Sequence, residues 1–118
     1  MNKKNYELLL NSFSLSVGAE IARLRRDKGL SGEQLGNLIG VSQQQISRYE
    51  CGICQITTMT LCVLLRHLEV SLEHFFYRVA VGIEKEKPSL YAEFECLFEK
   101  DSDTLSLAIK QETYTRFE

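Results

Sequence analysis

Leu30-Ser31-Gly32-Glu33-Gln34-Leu35-Gly36-Asn37-Leu38-Ile39-Gly40-Val41-Ser42-Gln43-Gln44-Gln45-Ile46-Ser47-Arg48-Tyr49-Glu50 is the stretch that decides the fold. Ser31 with Gln34 three residues later reads as a capping box. The serine oxygen accepts from the backbone N–H of the third helical residue, and the glutamine reaches back to the serine's own N–H. Ser42 with Gln45 repeats the pattern eleven residues on. The first helix has Leu35, Leu38 and Ile39 as its apolar residues. Gly40 ends it, because glycine accepts the left-handed conformation of a helix C-terminus. Two short helices separated only by Ile39-Gly40-Val41 predict a helix-turn-helix.

The second helix of the pair carries the candidate chemistry. With Ile46 facing inward on a 100° wheel, Tyr49 and Glu50 fall near it, while Gln44, Ser47, Arg48 and Cys51 fall on the opposite side. Gln43 lies inward on the wheel but sits in the first turn, where a recognition helix points its leading residues into the major groove. Glutamine pairs bidentately with adenine and arginine with guanine, so this face suits base reading on double-stranded DNA. Gln44 is the first candidate, then Arg48, then Gln43. Gln45 is assigned to structure, as the return partner of the Ser42 cap. Gln34 suits a phosphate contact beside the free N–H groups of its helix, and Lys28 and Arg26 add charge at the rim. A polar helix face is also what a merely solvated helix shows; the paired caps and the tight turn tip the reading toward DNA. Arg48 suits a phosphate as well as a base, since phosphates take half or more of such contacts.

Outward from this core the apolar spacing predicts more helices. Tyr6, Leu9, Leu10 and Phe13 mark a short leading helix, and Val17, Ile21 and Leu24 a second one stopped by Gly29. A helix from Thr57 to Leu68 presents Leu61, Leu64, Leu65 and Leu68 on one side. Ser71 caps a short helix through Phe75 and Phe76. Glu84-Lys85-Glu86-Lys87-Pro88 reads as a linker, charged and then broken by proline. Beyond it Leu90, Tyr91, Phe94, Leu97 and Phe98 follow helical spacing, and Asp103 caps a last helix carrying Leu105 and Ile109. Tyr91, Phe94 and Phe98 either pack back on the domain or form a dimer seam; the seam is favoured, since an apolar helix outside a compact domain needs a partner. The expected organisation is all-α, with a helix-turn-helix domain over 1–83 and a helical extension over 84–118.

Composition agrees. The chain has 118 residues, 44% of them hydrophobic and 25% charged, with one Pro and no Trp. That fits one small helical domain with a tail. No apolar run approaches the ~18 residues of a membrane span, and the start lacks the apolar region of a signal peptide, so a cytoplasmic location is expected. The net charge of −2 hides an asymmetry: residues 1–80 hold nine Lys and Arg against seven Asp and Glu, and residues 81–118 hold five against nine. A basic front with an acidic back suits a module that meets a polyanion with one end.

The four cysteines fit reduced, mostly buried thiols, with Cys62 assigned to the core side of its helix. Cys51-x-x-Cys54 has the spacing of half a zinc site, but Cys62, Cys96, His67 and His74 form no second pair of standard spacing. A redox role is the remaining use for Cys51, which falls on the outward face. His67 and His74 fit helix surfaces. There is no Ser/His/Asp arrangement and no Gly-rich phosphate loop. No catalysis, cofactor, metal or small-molecule ligand is expected.

The run Leu30-Ser31-x-x-Gln34-Leu35-Gly36, continued by Gly40-Val41-Ser42-Gln43-Gln44-Gln45-Ile46-Ser47-Arg48-Tyr49-Glu50-x-Gly52, resembles the Cro/phage-repressor type of helix-turn-helix, the XRE-like regulators. The likeness extends from about Val17 to Phe76. It implies a five-helix lambda-repressor-like DNA-binding domain, here with extra N-terminal and C-terminal helices. Such domains are usually dimeric on a pseudo-palindromic operator. It also implies that Gln43, Gln44 and Arg48 stand at base-contacting positions, and Ser42 and Gln34 at cap and phosphate positions. Arg25 and Glu50 match a pair that, in some members, ties the first helix to the end of the recognition helix. The tract Val41–Glu50 is further similar to regulators encoded with fimbrial operons of enteric bacteria, which implies a role between adhesion and motility genes. Two departures stand out. Gly32 occupies a position where the family commonly has Gln, and Cys51 and Cys54 stand where polar residues often meet the DNA backbone. A different class fits the acidic, aromatic tail after Pro88: a protein-interaction module, antitoxin-like or anti-repressor, that uses the same fold.

Overall fold

The computed structural model describes residues 2–99, and every regular element among them is helical. In chain order these are α1 (Lys3–Asp27), α2 (Gly32–Ile39), α3 (Gln43–Glu50), α4 (Thr58–Leu68), α5 (Leu72–Glu86) and α6 (Pro88–Glu99). The chain divides into two compact units, Met1–Glu69 and Val70–Glu118. The last helix expected after Asp103, with Leu105 and Ile109, lies outside the described residues.

In the first unit α1 runs unbroken for 25 residues. The leading helix expected over Tyr6–Phe13 is its first half, not a separate element. The physical reason is in the spacing: Tyr6, Leu10, Phe13, Val17, Ile21 and Leu24 fall three or four apart throughout. No proline interrupts them, and Gly18 lies buried within the helix. Asn2 caps the start, its side chain accepting from the N–H of Asn5 at 2.8 Å. The end is a Schellman turn, with the N–H groups of Gly29 and Leu30 donating to the carbonyls of Arg26 and Arg25. Ser12, Gly18, Glu20, Ile21 and Ala22 are the buried residues of α1.

Helix α3 packs against α1 and α2, and α2 packs against α4. The core of this unit is built from Ile21, Leu35, Ile46, Tyr49, Leu61, Leu64, Leu65 and Leu68, all buried. One apolar residue stands exposed, and one cysteine departs from its expected face. Leu38 is 48% exposed, because α2 turns Leu35 and Gly36 inward and leaves Leu38 on its flank. Cys62, assigned to the core side of α4, is exposed; it lies about 110° around the wheel from the stripe formed by the four leucines. With Cys51 also exposed and Cys54 intermediate, the three described cysteines are not the buried thiols expected.

In the second unit Ser71 caps α5 through the N–H of His74. The helix is longer than the sequence suggests. It continues through Glu84, Lys85 and Glu86, where a linker is expected, and only Lys87 separates it from α6. Proline is tolerated as the first residue of α6 because the N–H it lacks has no helical partner there. Phe75, Val79, Ala80 and Ile83 of α5 are buried, as are Leu90 and Tyr91 of α6, and α5 and α6 pack together. The side chains of Phe94 and Phe98 lie outside the described set.

Candidate nucleic-acid interface

The site begins with the turn between α2 and α3. Gly40 takes φ +77°, a left-handed conformation that L side chains rarely adopt. The N–H of Val41 then closes back on the carbonyl of Gly36 at 2.9 Å. A Cβ at Gly36 would stand 2.5 Å from the Val41 carbonyl oxygen, so only glycine lets the turn fold this closely onto α2. This geometry fixes where α3 starts.

Both helices are capped by serine, but not in the same way. At α2 the box is complete: Ser31 Oγ accepts from the Gln34 N–H at 3.0 Å, and Gln34 Oε1 accepts from the Ser31 N–H at 2.8 Å. At α3 only half forms. Ser42 Oγ accepts from the Gln45 N–H at 3.1 Å, but the Gln45 side chain does not return to Ser42. It donates instead from Nε2 to Cys54 Sγ at 3.4 Å. The structural role expected of Gln45 is thus redirected: it ties the first turn of α3 to the loop that follows the helix.

The far end of α3 is held more strongly. Arg25 donates from Nε to Glu50 Oε2 at 2.6 Å and from its terminal nitrogen to Oε1 at 3.0 Å, and its other terminal nitrogen donates to the Leu30 carbonyl at 2.7 Å. The side chains of this pair are 15% and 11% exposed. The Arg25 pKa is raised above the ordinary arginine value, chiefly by its hydrogen bond to Glu50, with burial opposing. Such a bidentate fork needs arginine geometry. The tie implied by the resemblance is therefore present. Beside it, α3 ends in a second Schellman turn through the N–H groups of Gly52 and Ile53.

One element of this arrangement gives no signal in sequence. Gly18 of α1 lies so close to the end of α3 that an added Cβ would meet the Tyr49 carbonyl oxygen and stand 2.6 Å from that of Glu50. The contact joins residues about thirty positions apart in the chain, so neither spacing nor composition could reveal it. The same holds for Cys54 as the partner of Gln45.

Anchored in this way by Ile46 and Tyr49, α3 leaves Gln43, Gln44, Ser47 and Arg48 exposed. The wheel places Gln43 inward, yet it is exposed. None of these four side chains has a hydrogen-bond or ion-pair partner among the described residues. Ser42 and Gln34, also exposed, are engaged in their caps, though the Gln34 amide nitrogen stays free to donate. Lys28 stands apart from this group. It closes α1 and is ion-paired with Glu69 at the end of α4. Arg23 is likewise held by Glu20 and Asp27. Arg48 and Arg26 remain as unpaired exposed arginines of this region.

Among the described residues no group of three His, Cys, Asp or Glu could hold a metal ion, and no helix is long and apolar enough to cross a membrane.

The helix-turn-helix domain family matches residues 16–75, just over half of the chain, and this segment contains every element of the site. An uncharacterised HTH-type transcriptional regulator of Rickettsia conorii is 33% identical over 76 residues, 64% of this chain and 59% of that protein. A counterpart in Rickettsia prowazekii is also 33% identical, over 57% of its length. One from Sinorhizobium fredii is 46% identical over 55 residues, 47% of this chain and 71% of that protein. The chain thus spans somewhat under two thirds of the length of its rickettsial relatives. On its own geometry and on these matches, the chain belongs to the helix-turn-helix domain family.

Proposed function

We propose that this protein is a cytoplasmic, sequence-specific DNA-binding transcriptional regulator of the Cro/phage-repressor, XRE-like kind, acting as a homodimer. The observation that carries the reading is the outward face of α3. Four exposed polar side chains without internal partners stand on a helix fixed at both ends. Side chains free of the protein's own hydrogen bonds are available to base edges, and a rigid helix keeps them in register. Gln44 and Arg48 are the leading base contacts, Gln43 and Ser47 flank them, and Ser42 and Gln34 meet phosphate. Lys28 contributes charge nearby through an ion pair that is exposed and weak. The DNA-binding part is assigned to 1–83, and 84–118 to an extension bearing the dimer seam. On the resemblance of Val41–Glu50 to regulators of fimbrial operons, adhesion and motility genes are the first targets to test.

Native mass by light scattering, followed by selection from a random pool of duplex DNA and sequencing of the bound fraction, tests this. The expected result is a dimer that enriches two half-sites about one helical turn apart, with affinity falling steeply as salt rises. A particle that ignores DNA at low salt would overturn the reading and turn attention to a protein-interaction module.

A further inference from the structure

Of the three consecutive glutamines of α3, Gln45 is tethered to Cys54, whereas Gln43 and Gln44 are free. Gln43 differs from Gln44 in what lies beside it. Its Cγ faces Gly32, the first residue of α2; a Cβ added there would sit 3.6 Å from Gln43 Cγ and 3.9 Å from the nearest methyl carbon of Ile46. Both are ordinary van der Waals distances, and Gly32 shows no left-handed φ. The site therefore accepts a side chain without strain, and glycine leaves that contact unmade.

We infer that Gly32 is a specificity-determining residue, which leaves the Gln43 side chain unconstrained and so makes the base it meets loosely specified. This rests on the reading of α3 as the base-contacting helix. A primary amide presents a donor and an acceptor, and by rotating about its side-chain bonds it can satisfy more than one base edge. Discrimination comes when rotation is limited and the wrong edge leaves a polar group unpaired. The neighbour that would limit rotation from the α2 side is absent. Gln43 accordingly tolerates several bases, whereas the Gln34 side chain is held by the bond its Oε1 accepts from the Ser31 N–H in the α2 cap.

The test is a cycle of four full-length proteins: wild type, Gly32→Ala, Gln43→Ala and the double variant. Each is put through the same duplex-DNA selection, with melting temperature recorded. Gly32→Ala is expected to hold or raise the melting temperature, since alanine suits a helix better than glycine. At the operator position that Gln43→Ala alters, Gly32→Ala should raise the ratio of preferred to second base by about two- to tenfold, the range for immobilising one long side chain. Other positions should not change, and the gain should vanish in the double variant. A profile unmoved by Gly32→Ala, a change spread evenly over the site, or a gain that survives Gln43→Ala would overturn this inference while leaving the DNA reading intact. A wild-type protein that enriches no motif would overturn both.

Discussion

Helices α2 and α3 are each eight residues long, each begins at a serine, and each carries glutamine at the third position, yet they are used differently. In α2 the glutamine closes on its own cap, and the helix start is satisfied from within. In α3 the corresponding glutamine leaves the cap and bonds to Cys54. The outward residues of α3 are free, and its rigidity is imported from α1 through Gly18 and Arg25. On the proposed reading α3 presents these side chains to DNA, and they are then not available to hold the helix in place. Its neighbours supply the restraint.

The strongest way to break this contrast is at Gly18. Because an added Cβ meets backbone carbonyls rather than a side chain that can swing away, Gly18→Ala should lower unfolding free energy by about 3 kcal/mol in a denaturant titration. A loss under about 1 kcal/mol would show that α1 and α3 separate easily.

Next is Arg25→Ala, which leaves the half-buried Glu50 carboxylate without its partner and the Leu30 carbonyl without its donor. A loss of about 2 kcal/mol is expected, below that for a fully buried pair because some solvent reaches this one. Arg25→Lys should recover only part of it, since an ammonium cannot reproduce the fork. Full rescue by lysine would mean that charge alone holds the end of α3. The arginine side of this pair has its folded-state pKa raised, so its contribution is full below the unfolded-state value and is lost only as pH rises through the raised one.

The two caps sharpen the comparison at smaller scale. Ser31→Ala opens a reciprocal box and should cost about 1.5 kcal/mol, whereas Ser42→Ala removes a single bond and should cost about 1 kcal/mol or less. Equal losses would mean that the return bond of Gln34 has no energetic weight. Cys54→Ala, which removes only a weak sulfur acceptor from Gln45, should shift stability by less than about 0.5 kcal/mol.

What the sequence made legible follows from how far each signal reaches along the chain. Serine caps, the Gly40 turn and the leucine stripe of α4 are local patterns, and they appear where they are expected. Local patterns mislead where one stripe spans what looks like two helices or where an apolar residue sits beside the buried face. In α1 the apolar spacing continues past Phe13, where nothing ends a helix, so the two expected helices are one; Leu38 belongs to the apolar pattern of α2 yet lies exposed, and Cys62 faces away from the leucine stripe of α4. Contacts between distant segments were legible only by resemblance, as with Arg25 and Glu50, or not at all, as with Gly18 and Cys54. The candidate DNA face was readable because it depends on a single eight-residue helix with one anchoring isoleucine. Its exposure needed the neighbouring helices to be in place.

The proposed reading of bases by the outward face of α3 rests first on Gln44 and Arg48. Its most direct test is equilibrium binding of Gln44→Ala and Arg48→Ala to the duplex selected by the wild-type protein, at one fixed salt concentration. Each variant is expected to bind roughly 5- to 150-fold more weakly, the range for losing one bidentate base contact of about 1–3 kcal/mol, with an unchanged melting temperature. Wild-type affinity in both would contradict it.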